Sequence, residues 1–358
     1  MMTTTVTVLA SVDPLLREQV LTDVRRTAPE VVVLRHELAT VPLTSTVHRT
    51  VAGPATPLPP DEALPVEARC CLSCLLREDT LAALETLRGH EVLLVLPTSV
   101  EPAAVVAHLH EAGVADVATV VAVVDGRRLE EQLTSGRELR ELEDVGDDGR
   151  TVAEVLVRTV EHSDLVLVGD GDTRTAALLD ALHAGVAQLP VATPPTSWLG
   201  AHRHDRLAFA GRLLPGAFPA VPDTSIAGVD RRTWRAERPL HPERFVAALD
   251  DGLLAGTVRA HGALWIAPRL DSLLEIDAAG VTCDVGPLPV HGPVLGQMLR
   301  LVTLDEDPDD LLAQLDAALL TDAELAAGPA TWRRVDDPVA AWLGVPPSAL
   351  ADPEEDQP

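Results

Sequence analysis

Short runs rich in Val and Leu, at residues 5–10, 31–34, 91–96, 117–124 and 165–168, are separated by stretches with helical spacing at 13–26, 75–87, 102–111 and 152–161. In the first such stretch Leu16, Val20 and Val24 recur every four residues, which places them on one helical face. A strand with one wet face alternates polar and apolar residues, but most of these runs are almost continuously apolar, so both of their faces must be covered. Doubly buried strands alternating with helices predict an α/β fold with a mainly parallel sheet covered by helices. Residues 44–51 do alternate and are expected to form an edge strand.

Past residue 189 the pattern dissolves into Pro, Gly, His and Arg. This places a first domain at 1–198 and a linker at 199–229. A second domain follows at 230–345, extended at 232–237, helical at 241–253, and with strands at 263–267, 273–276 and 299–304. Leu311, Leu315 and Leu319 line one helical face, and the mixture predicts a small α+β domain. Residues 346–358 are acidic and Pro-rich, as in a solvated, disordered tail.

At 46% apolar residues the chain can bury two modest cores. Its longest apolar run, 117–124, is far short of a membrane span, and its first residues carry no charged leader with an apolar core, so a cytoplasmic location is expected. Four cysteines, three of them Cys70, Cys71 and Cys74, do not form a secretory disulfide pattern. The formal charge of −27 repels nucleic-acid backbones and attracts a basic protein partner.

Three ordered stretches in the second domain resemble the CobW C-terminal domain. Arg235-Ala236-Glu237-Arg238-Pro239-Leu240-His241-Pro242-Glu243-Arg244 is similar to its R-x-x-R-P-F-H-P-x-R segment, Arg259-Ala260-His261-Gly262-Ala263-Leu264-Trp265 to R-(S/T)-K-G-x-x-W, and Leu319-Leu320-Thr321-Asp322-Ala323-Glu324 to L-L-T-D-x-E. The resemblance implies a P-loop-NTPase-like first domain. There Cys71-Leu72-Ser73-Cys74-Leu75-Leu76-Arg77-Glu78-Asp79 is similar to the family's C-x-C-C-x-x-R-x-D, with Ser73 in place of the middle Cys.

The family's nucleotide motifs are missing. Ser11-Val12-Asp13-Pro14-Leu15-Leu16-Arg17 follows the first strand where a glycine-rich phosphate loop with its Lys is expected, and the chain contains no Lys at all. Pro97-Thr98-Ser99-Val100 replaces the acidic magnesium-binding turn, and Gly169-Asp170-Gly171-Asp172 replaces the guanine-reading N-K-x-D. No catalytic residue, no nucleotide and no GTP turnover is expected. The erosion resembles the actinobacterial subgroup that recruits a ribosome hibernation factor, which implies an adaptor pseudo-GTPase in a zinc-linked response; the alternative is a GTP-dependent zinc metallochaperone.

Candidate ligands are few. Cys71 and Cys74, at C-x-x-C spacing, could chelate zinc, with His36, His48 or Cys70 completing four ligands; the competing expectation is two buried reduced thiols. His202-x-His204 would suit a metal only with a third ligand, and a solvated loop is expected. Asp170 and Asp172 could hold magnesium but read as a turn, and Asp125 at a strand end reads as a cap. Arg235, Arg238, His241 and Arg244 form a basic group, in which Arg238 and Arg244 are expected to pair with carboxylates such as Glu237 and Glu243 at the domain interface. Trp234 and Trp265 are expected to be core anchors.

Overall fold

The computed structural model describes residues 3–41, 44–55, 57–66, 72–141, 148–213, 221–270, 272–289 and 296–343. The chain divides into two units, 1–214 and 215–358.

The first unit is built on eight strands: β1 (Thr4–Ala10), β2 (Val32–Val41), β3 (Thr44–Ala52), β4 (Glu62–Pro65), β5 (Glu91–Val95), β6 (Ala115–Asp125), β7 (Leu165–Gly169) and β8 (Ala187–Pro190). Their order is β4-β3-β2-β5-β1-β6-β7-β8, parallel from β2 to β8 and antiparallel where β3 and β4 continue beyond β2. The helices are α1 (Pro14–Thr27), α2 (Leu72–Thr86), α3 (Pro102–Ala112), α4 (Leu129–Thr134), α5 (Val152–Glu161), α6 (Thr173–Leu182) and α7 (Arg206–Arg212). Both faces of the sheet are covered. Val8, Val92 and Leu94 pack with Leu76 and Leu84 of α2 and with Val105 and Leu109 of α3, whereas Leu9, Leu93 and Val95 pack with Val20, Leu21 and Val24 of α1. This two-sided burial is why the strands read as continuous apolar runs.

Two expectations need correction. The alternating stretch 44–51 is β3, but β4 pairs beyond it and takes the edge. Residues 199–213 are not a linker. Gly200 N donates to Thr7 Oγ1 at 3.1 Å, His204 N donates to Ala118 O at 3.0 Å, and Phe209 of α7 is fully buried in the core on the α2/α3 face. A seven-residue helix anchored by one aromatic has too few turns to show a periodic apolar stripe.

The second unit begins with β9 (Thr224–Ile226), inside the expected linker, and continues as β10 (Val229–Ala236), β11 (Thr257–Leu264), β12 (Ser272–Ala279), β13 (Thr282–Pro289) and β14 (Gln297–Leu304). These form an antiparallel sheet in the order β13-β12-β11-β14-β10-β9. Helices α8 (Pro242–Asp250), α9 (Pro308–Ala318), α10 (Asp322–Ala327) and α11 (Pro329–Trp332) complete it. Phe245 and Leu315 bring α8 and α9 onto Trp234, Leu264, Leu299 and Leu301 of the sheet. The acidic tail, 346–358, lies outside the described residues.

Candidate functional site

In the first unit β1 lies between β5 and β6, so the chain changes sides of the sheet at β1. In open α/β sheets ligands settle at such a point, beyond the carboxyl ends of the strands. A cavity of about 480 Å³ opens there, and its charged lining mixes three carboxylates, Asp13, Glu131 and Glu141, with two guanidiniums, Arg128 and Arg137. A phosphate pocket is electropositive; this lining is not.

The loop from β1 to α1 is filled by its own side chains. Ser11 Oγ donates to Val123 O at 2.8 Å and accepts from Asp13 N at 3.1 Å. Asp13 caps α1, its Oδ1 accepting from Leu16 N at 2.9 Å, and Pro14 in the first turn has no N–H to offer. The helix terminus that would greet an anion thus already holds a carboxylate. Asp-Pro before an apolar helix is a start signal visible in the sequence.

Arg17 stands six residues after Ser11, the spacing at which a P-loop carries its Lys. It does not reach into the crevice. Its guanidinium is buried, donating to Leu96 O at 2.8 Å and to Glu37 Oε1 at 3.2 Å. Burial, and then the neighbouring Arg35, push its pKa down. This cation ties α1 to the end of β5 and to the middle of β2.

The loops after β6 and β7 close on each other. Gly126 N donates to Gly169 O at 2.6 Å, and a Cβ on Gly126 would stand 2.6 Å from Gly171 Cα, so only glycine fits. Asp125 Oδ1 accepts from Arg127 N, Asp172 caps α6 through Thr175 N, and Asp170 faces Arg127 at 3.1 Å. Those hydrogen bonds from Thr175 hold the Asp172 carboxyl below its usual range. All three aspartates serve as caps or turn contacts, as the turn-forming sequence predicts.

Of the candidate zinc ligands, Cys70 and Cys71 lie outside the described residues. Cys74 occupies the first turn of α2, half-buried, and Arg77 NH2 donates to its Sγ at 3.1 Å. One turn on, Asp79 is a hub. Its Oδ2 lies 2.7 Å from Nε2 of fully buried His36, and its Oδ1 accepts from Arg49, which also reaches Glu62 at 2.7 Å. A carboxylate places a proton of His36 on Nε2; in the neutral ring this leaves a lone pair on Nδ1, which is buried with no hydrogen-bond partner among the described residues. An imidazole set by a carboxylate in this way suits a metal ligand. His48 is exposed, between inward-facing Val47 and Arg49 on β3.

The second unit brings together the three stretches singled out in the sequence. Leu240 N donates to Trp265 O at 2.7 Å, and Leu320 N to Pro239 O at 2.9 Å. Arg238 pairs with Asp322 at 3.0 Å and Arg244 with both oxygens of Glu324 at 3.0 and 2.8 Å. Their partners are therefore the carboxylates of the Leu319–Glu324 stretch, not Glu237 or Glu243, and the pairing lies within one unit. Arg244, and then the N–H of Thr321, hold the Glu324 carboxyl down at about 2. Trp234 is a core anchor whose Nε1 donates to Asp316 Oδ1 at 2.9 Å, and Trp265 packs edge-on against Trp332 at 6.3 Å. The basic group is thus largely neutralised from inside.

Residues 229–319 match the family of the cobalamin synthesis protein cobW C-terminal domain. The chain is 28% identical over 337 residues to the zinc chaperone Rv0106 of Mycobacterium tuberculosis, covering 80% of this chain and 81% of that protein. The same identity and coverage relate it to the protein Mb0109 of Mycobacterium bovis. The Zn(II)-bound YjiA GTPase from E. coli aligns over 89% of this chain and 100% of its own, with 13% identity and a TM-score of 0.37. Residues 229–319 thus resemble a CobW C-terminal domain, and the likeness to a zinc chaperone extends over four-fifths of the chain, more than that stretch could supply.

Proposed function

We propose that this chain handles zinc as a protein-bound cargo, through the cysteines at the start of α2 and without nucleotide turnover. The observation that carries this reading is His36, buried on β2, hydrogen-bonded through Nε2 to Asp79 and with an Nδ1 that has no partner among the described residues, on the strand that Asp79 ties to the helix bearing Cys74. Thiolate and imidazole are the donor types that zinc prefers, and neither suits magnesium. Kinship with a protein named a zinc chaperone supports the same reading. Elemental analysis of dialysed protein tests it: wild type should retain zinc, and replacing both Cys71 and Cys74 with Ser should remove that equivalent. Zinc retained in full by the double variant would move the cargo site elsewhere.

A second reading, an adaptor that recruits a ribosome hibernation factor, is favoured by the formal charge of −27, which suits a basic ribosome-associated partner. Capture of the tagged chain at low salt should recover such a factor, and association should slow as screening rises. Failure to recover it removes this reading and leaves zinc binding untouched.

A further inference from the structure

The His202-x-His204 stretch predicts a solvated loop, yet the structure buries His204, whose side chain is 3% exposed. Its Nδ1 stands 2.7 Å from Asp164 Oδ2. A carboxylate oxygen only accepts, so Nδ1 carries a proton, and in the neutral ring Nε2 keeps a lone pair. Asp164 is itself fixed: its Oδ2 also accepts from Val120 N at 2.8 Å, and its Oδ1 accepts from Arg212 at 3.3 Å. A second imidazole comes from the end of α3, where His110 brings its Nε2 to 3.1 Å from that of His204, with ring centroids 5.0 Å apart. Phe209 packs against both rings, at 5.6 and 5.2 Å. His202, with φ of 46°, turns away towards Asp116.

Two imidazole nitrogens bound to one tetrahedral zinc at ~2.05 Å each lie about 3.3 Å apart. The observed 3.1 Å is close to that bite. A carboxylate on the far nitrogen of one ring is the arrangement that orients metal-binding histidines.

We propose that His110 and His204 form a two-imidazole seat for zinc, with Asp164 as the positioning residue and water completing the coordination. The seat is separate from the cysteine region and stands whether or not that region carries metal. Without metal, His110 Nε2–H donates to His204 Nε2. When zinc enters, the His110 proton moves to Nδ1, both Nε2 lone pairs face the cation, and no net proton is released. Among the described residues no three His, Cys, Asp or Glu groups converge on one point, so the seat is an open one.

The test uses the full chain, labelled with nitrogen-15, and zinc chloride near neutral pH. The Nε2 signals of His110 and His204 should shift together as zinc is added. His110→Gln, at a partly exposed helix end, should hold one zinc equivalent fewer than wild type while keeping the wild-type circular dichroism. Asp164→Asn, which keeps the shape but weakens the orienting contact, should lower affinity at this seat roughly 10- to 100-fold. Ring signals that ignore zinc, or a His110→Gln chain that binds as much zinc as wild type, overturn the assignment and leave two histidines sharing a hydrogen bond.

Discussion

Glu324 fastens α10 to the basic stretch of the second unit, and replacing it with Gln removes charge while preserving shape. Its carboxyl titrates near 2 when folded against an ordinary 4.5, chiefly because Arg244 grips it with two hydrogen bonds. At about 1.36 kcal/mol per pKa unit the shift corresponds to roughly 3 kcal/mol without screening. The side chain is 34% exposed, so solvent and salt reduce the contribution to about 1 kcal/mol. Because the folded carboxyl is the stronger acid, this stabilisation is complete above about pH 4.5 and disappears as pH falls towards 2. Denaturant unfolding of wild type and Glu324→Gln, followed by Trp fluorescence, should show the variant less stable by about 1 kcal/mol at pH 7, with the two curves converging in acid. Equal stability at pH 7, or a gap that persists below pH 2, would show that this ion pair contributes nothing and that the basic group is available to another ligand.

Three further outcomes follow. Purified chain should hydrolyse GTP no faster than buffer: a phosphate charge brought to ~4 Å from the Asp13 carboxylate meets about 4 kcal/mol of repulsion at an effective dielectric of 20, close to a thousandfold in affinity, and turnover that tracks protein concentration through repeated purification would refute this. Zinc held by thiolates and neutral imidazole should be released as pH falls, since each ligand must lose its proton to bind, and a pH-independent zinc content measured by elemental analysis would contradict the thiolate assignment. Gly262→Ala should destabilise the second unit by about 3 kcal/mol, because the new Cβ would sit 2.1 Å from Met298 O, and a wild-type unfolding midpoint would be contrary to that packing.

The strands and long helices of the first unit were legible because burial on both faces writes itself as unbroken Val and Leu. What stayed hidden was carried by single residues. Phe209 alone anchors α7, and nothing around it repeats. His110 and His204 are 94 positions apart, and their meeting depends on α3 and α7 sharing the same core. Arg238 and Arg244 were recognisable as ion-pair formers, but sequence proximity suggested Glu237 and Glu243, whereas the fold delivers Asp322 and Glu324 of α10 from 84 and 80 residues further on. The closure of the β1–α1 loop was readable in part, from Asp13-Pro14 as a helix start; that Arg17 is drawn away to Leu96 and Glu37 was not, because β2 and β5 reach it only through the fold.

A helix capped by its own carboxylate folds without waiting for a ligand. Nucleotide-binding proteins gain stability from their ligand, about 2.7 kcal/mol at a hundredfold excess over Kd, so their folded population follows the cell's nucleotide pool. With Asp13 seated at the start of α1, this helix of the first unit is capped from within the chain. If the first unit holds no nucleotide, its abundance should stay level when GTP is depleted in starved cells, whereas a nucleotide-stabilised fold would lose part of its population.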